Sequence, residues 1–167
     1  MASSSLGTTE PTVLEDRGSA SGTASDPGSF DRILVAVDGD TDDGVGAAAV
    51  SLAARHDARV DALSVVRMTA SVDHWDVRVE RREASAEAAL DAVGDVADET
   101  DVSVAKQLRY GDPAEEIALY ASHNDVDLIV VGEPTRSGLR RYLSPTSVTE
   151  QVHRSASVPV LTVPTAD

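Results

Sequence analysis

The chain of 167 residues is long enough for one domain and short for two, and with 41% hydrophobic residues it can bury a real core. Its formal net charge of −15 repels phosphate backbones and anionic headgroups, which argues against nucleic-acid and membrane partners. The absence of cysteine excludes disulfides, thiol catalysis and cysteine-ligated metal, and no apolar run reaches the ~18 residues of a membrane span.

Residues 1–29 are Ser, Gly, Thr, Ala and acid, with only Leu6, Val13 and Leu14 to anchor them. Such a segment buries too little surface to offset its ordering entropy, so a disordered tail is expected there and one domain over 30–167. The tail lacks the basic and apolar regions of a signal peptide, so the expected location is the cytoplasm. The domain opens on Ile33-Leu34-Val35-Ala36-Val37, an unbroken apolar run of the kind covered on both faces in a parallel sheet. Val45, Ala48, Ala49, Leu52 and Ala53 follow at helical spacing, with Asp42 and Asp43 in the acid-favouring first turn. Val60 to Val66 predicts a second strand, Met68 to Asp76 an irregular stretch, and Ala86, Leu90, Val93 and Ala97 one face of a second helix. Val102, Val104 and Leu108 alternate as a third strand, with Lys106 breaking the apolar set. Asp112 and Pro113 are an N-cap and a first helical residue, and Ala114, Ile117, Ala118 and Ala121 carry the helix. Leu128 to Gly132 is a fourth strand, a loop runs to about Ser144, Val148 and Val152 face inward on a last helix, and Val158 to Val163 is a fifth strand.

Strands alternating with helices imply an α/β fold: an open, five-stranded, parallel-type sheet with right-handed crossovers and helices on both faces. Its working edge is the carboxyl ends of the strands. The loop after the fourth strand holds Arg136, Arg140 and Arg141, three of only 14 positive charges, and leads into a helix. Unpaired N–H groups at a helix start favour an anion, and these arginines are anion-binding candidates. The plainer reading of the same stretch is a capping box, Ser147 with Glu150. Asp38 ends the first strand and reads either as an acceptor for ribose hydroxyls or as a turn residue before Gly39. The four histidines show no i, i+4 metal spacing. His56 and His123 suit helix C-termini, and His74 beside Trp75 suits the surface. Neither a nucleophile elbow nor a Walker loop occurs, so no catalytic or metal residue is assigned.

Three segments in order resemble the universal stress protein family. They are Ile33-Leu34-Val35-Ala36-Val37-Asp38-Gly39, then Gly111-Asp112-Pro113-Ala114-Glu115-Glu116-Ile117, and last Asp127-Leu128-Ile129-Val130-Val131-Gly132 with Arg136 to Leu143, Thr146 to Val152 and Val158-Pro159-Val160-Leu161. The resemblance implies a Rossmann-like, adenine nucleotide alpha hydrolase-like domain that dimerises through its last strand, Val158 to Val163. Pro159 fits an edge position for that strand, because it cannot donate to a ladder. Some members bind ATP through Gly-x2-Gly-x9-Gly-Ser/Thr in the strand-4 loop. Carried over, the pattern marks Gly132, Thr135, Arg136, Gly138, Thr146, Ser147 and Val148 as nucleotide-binding. Asp38 would meet the ribose and the backbone of Val65 the adenine. Thr135 and Thr146 stand where the family has glycine, Pro145 precedes Thr146, and the spacing is one residue longer. Branched side chains and a missing N–H make close approach of a triphosphate harder. The cofactor expectation is therefore ATP or AMP, with Mg only for a triphosphate, bound weakly as ATP.

Of the 14 basic residues only Lys106 is lysine, and Asp outnumbers Glu. A short, strongly hydrated carboxylate coat resembles that of proteins from organisms with molar cytoplasmic salt; a GC-rich genome is the alternative source of this composition. The first functional reading is a homodimeric stress-response factor that responds to a nucleotide or acts by protein interaction. The alternatives are a slow ATP hydrolase or nucleotidyl-transfer relative, and a flavodoxin-like receiver or electron carrier. The last has little to stack a flavin on, at 3% aromatics.

Overall fold

A computed structural model describes residues 28–41, 43–68, 75–133 and 146–165, and only the backbone of 75–77. Residues 1–27 of the expected tail lie outside the described residues, as does His74. The elements are β1 (Arg32–Ala36), α1 (Asp43–His56), β2 (Arg59–Val66), α2 (Trp75–Asp98), β3 (Val104–Tyr110), α3 (Pro113–His123), β4 (Leu128–Gly132), α4 (Val148–Ser155) and β5 (Val160–Val163). All ladders are parallel, and the strand order is β3-β2-β1-β4-β5.

The unbroken apolar runs are covered on both faces, as parallel strands must be. Alternate residues of one strand supply opposite cores. Ile33, Val35, Val60, Ala62, Leu128 and Val130 pack with Val45, Ala49 and Ala53 of α1 and Leu90, Val93 and Ala97 of α2. Leu34, Leu63, Ile129 and Val131 pack with Ile117, Tyr120 and Ala121 of α3 and Val152 of α4. Among the described residues, no helix is long and apolar enough to cross a membrane.

Local signals place most boundaries. Asp112 caps α3, its carboxylate accepting from the Glu115 N–H at 3.1 Å, with Pro113 next. Several boundaries differ from the sequence reading, β2 for one beginning at Arg59 rather than Val60. β1 ends at Ala36 rather than Val37, although the Val37 N–H still donates to the Leu63 carbonyl at 2.9 Å. α2 already begins at Trp75, within the stretch read as irregular. β3 begins at Val104 because the Val102 N–H turns to the Thr100 hydroxyl instead of a ladder. β5 begins at Val160, since Pro159 has no N–H and joins the sheet only through its carbonyl, which accepts from Ile129 at 3.0 Å. Lys106 breaks the alternation because β3 is an edge, where its ammonium reaches Asp91 of α2 at 2.9 Å.

One charge lies wholly inside. Asp61 of β2 has no exposure, and its Oδ2 accepts from Arg32 Nε at 2.6 Å and from the Tyr120 hydroxyl at 3.0 Å. Arg32 Nη1 also donates to the Asn124 carbonyl, which ties β1 to the end of α3. A buried carboxylate persists only with such partners.

Candidate functional site

The site follows from a mismatch in strand length. β1 stops at Ala36, opposite Leu63, while β2 continues to Val66 beside β3. In a parallel ladder, alternate residues turn both backbone groups to the same neighbour. The Leu63 carbonyl accepts from Val37 at 2.9 Å on the β1 side, and the Val66 carbonyl accepts from Gly111 at 3.0 Å on the β3 side. Val65 has the sense of Leu63, so its N–H and C=O point into the space above the end of β1. Neither has a backbone partner among the described residues. Between β1 and β4 the strand order reverses, the place where open α/β sheets bind ligands.

A cleft of about 750 Å³ occupies that place. Its walls come from the β1 loop at Asp38 and Gly39, from Ser64 and Val65 of β2, from Ser85 of α2, and from Gly132 and the start of α4. The volume lies within the range of small-molecule sites.

Asp38 is placed as the turn residue read from sequence, and it also lines the cleft. Its Oδ1 accepts from the Thr41 hydroxyl at 2.7 Å and the Asp40 N–H at 3.1 Å. The Thr41 hydroxyl accepts in turn from the Asp38 N–H at 2.9 Å. These bonds fix an exposed carboxylate on the cleft wall through its Oδ1. Gly39 is required by packing: a Cβ there would fall on the Ser85 hydroxyl and within 2.8 Å of the Ser85 Cβ.

Gly132 lines the cleft and has no positive φ. A Cβ there would meet Val45 Cγ2 at 3.2 Å and Thr165 Cγ2 at 3.4 Å, a tight fit against α1 and the segment after β5. Its carbonyl accepts from the Thr149 hydroxyl at 3.0 Å, which fastens α4 to the end of β4.

Thr146, Ser147 and Val148 line the cleft, and all three are half-buried. The capping box read from sequence is complete: Ser147 Oγ accepts from the Glu150 N–H, and the Glu150 carboxylate accepts from the Ser147 N–H, both at 3.1 Å. A carboxylate thus sits at the helix start, where an incoming phosphate would also bind. Thr135, Arg136, Gly138, Arg140 and Arg141 lie outside the described residues.

The sequence reading missed two features. Ser64 is 1% exposed, and its hydroxyl has no partner among the described residues. Arg82 of α2 lines the cleft and donates to the Arg67 carbonyl at 2.9 Å. An arginine on an exposed helix face gives no local sign that it borders a cleft. The Val65 backbone was marked only by the family resemblance, because register is not visible in one strand's sequence. Of the described histidines, His56 packs on Phe30 at 4.9 Å between ring centroids, and His153 meets Thr162 at 3.1 Å. No group of three or more His, Asp or Glu among the described residues is placed to hold a metal ion.

The universal stress protein family model matches residues 29–164. The chain is also 33% identical over 141 residues to universal stress protein MJ0531 of Methanocaldococcus jannaschii, covering 80% of this chain and 82% of that one. The chain belongs to the universal stress protein family. Among solved structures, the UspA universal stress protein of Lactobacillus plantarum superposes with a TM-score of 0.65 at 30% identity, over 81% of this chain and 98% of that one. A universal stress protein solved in complex with cAMP gives 0.66 at 20% identity, over 81% and 97%. These likenesses confirm the fold read from the strand and helix alternation: the five-stranded parallel sheet is the universal stress protein sheet.

Proposed function

We propose that this universal stress protein is a nucleotide-responsive stress factor that takes an adenosine monophosphate-type ligand in the cleft between β1 and β4. The observation that carries the reading is the open backbone of Val65 beside the fixed carboxylate of Asp38. An N–H and a C=O from one residue match the acceptor and amine donor on one edge of adenine. Asp38 Oδ2 can accept from a ribose hydroxyl, and the phosphate then falls toward Ser147 and Val148 at the start of α4. The cAMP complex of a structural neighbour supports a ligand of this class.

The monophosphate is favoured over ATP by two features. Thr135, Pro145 and Thr146 replace the small, N–H-bearing loop that a triphosphate needs. Glu150 already places a negative charge at the helix start. Mg is then not needed, since it would serve only a triphosphate. The protein partner in this reading is a second copy along β5, an edge strand whose Leu161 is 42% exposed.

Titration calorimetry of the full chain in molar KCl, with AMP, cAMP and ATP, tests the reading. Binding of AMP or cAMP tighter than ATP is expected, with Asp38→Ala weakening it about 10-fold through loss of a charge-assisted bond. Tight ATP binding would refute the monophosphate preference, and no binding of any of the three would refute the nucleotide reading.

A further inference from the structure

We propose that Ser64 is a ligand-reading residue of the cleft, its hydroxyl bonding the polar edge of a base held at Val65. This rests on the nucleotide reading above and deepens it by naming a specificity group that the family pattern does not mark.

Ser64 shares its face of β2 with Val60, Ala62 and Val66, all buried and apolar. A hydroxyl among such neighbours normally finds a partner, and an unpaired one carries a desolvation penalty that alanine would avoid. Ser64 is 1% exposed and its Oγ has no partner among the described residues, so no hydrogen bond within them offsets that penalty. Such a cost is characteristic of positions kept for a ligand rather than for stability.

The placement suits that role. Ser64 forms part of the cleft wall, directly before the open backbone of Val65. Leu63 pairs with Ala36, so Ser64 is the first β2 residue beyond the end of the β1 ladder. A base seated on the Val65 N–H and C=O therefore lies next to it. Serine needs only a rotation about one side-chain bond to re-aim its hydroxyl, which can donate to a ring nitrogen or accept from an exocyclic amine. The Ser85 hydroxyl of α2 also lines the cleft, close to Gly39.

The test compares the full-length wild type with Ser64→Ala in molar KCl, by thermal melting without ligand and by calorimetry with AMP. The expected result is a divergence. The ligand-free melting temperature rises by about 2–4 °C, while AMP binds about 10-fold more weakly. A purely structural serine would lower both or leave both unchanged. Equal AMP affinity in the two proteins overturns the role of Ser64 and leaves the nucleotide reading standing. A lower melting temperature in Ser64→Ala also overturns it, because the hydroxyl would then have an internal partner. If the wild type binds no AMP, the same comparison is made with cAMP; binding of none of AMP, cAMP and ATP fells the nucleotide reading and this proposal with it.

Discussion

Asp61 shows what a single residue costs and what keeps it in place. Removing Arg32 would leave a fully buried carboxylate with Tyr120 as its remaining partner. Arg32→Met is expected to destabilise by about 3 kcal/mol, and the double variant Arg32→Met with Asp61→Leu to recover most of that loss. Urea melts of the three proteins check this, and equal stability of the single variant would show that the pair is dispensable. Tyr120 adds a pH dependence. Burial, then its bond to Asp61, pushes its hydroxyl above the ordinary value of 10. Its contribution is therefore fully present below pH 10 and is lost as pH rises through the higher folded value. Stability should fall on the alkaline side of pH 10, and Tyr120→Phe should flatten that fall while lowering stability at pH 8 by about 1–2 kcal/mol. Gly39 is the steric counterpart. Gly39→Ala pushes α2 away from the β1 loop and should cost about 1–3 kcal/mol, read as a lower urea midpoint.

At the scale of elements, what could be read from sequence divides by range. β4 was legible to the residue, because Leu128 to Gly132 is an unbroken apolar run bounded by turn residues. The caps at Asp112 and Ser147 were legible because a cap side chain and the backbone N–H that donates to it lie three residues apart. The Asp61 cluster was not, since its partners stand 29 and 59 residues away. Nor was the opening at Val65, which exists only because another strand ends early. The close packing of Gly132 was not legible either, since its neighbours Val45 and Thr165 lie far from it in sequence. The helix α4 yields a prediction of its own. Glu150→Gln keeps the capping box but removes the negative charge at the helix start. AMP should then bind about 2- to 5-fold more tightly, with α4 intact by circular dichroism. Unchanged affinity in calorimetry would place the phosphate elsewhere.

The molecule as a whole carries −15 on 167 residues, and that charge sets the conditions under which it folds. Screening reaches ~30 Å at 0.01 M salt and ~3 Å at 1 M, so self-repulsion across the domain is strong only in dilute buffer. The melting temperature should climb steeply between 0.01 M and 2 M KCl. A flat profile by circular dichroism would mean that the acidic coat is not a salt adaptation.

In the proposed nucleotide reading, the extra length of β2 beyond β1 makes a base-binding edge at Val65. Amide NMR of the full chain in molar KCl, titrated with AMP, probes that edge itself. The Val65 N–H should move downfield as a new hydrogen bond forms, with accompanying shifts at Asp38, Ser64 and Val148. Saturable AMP binding that leaves the Val65 amide unmoved would contradict it.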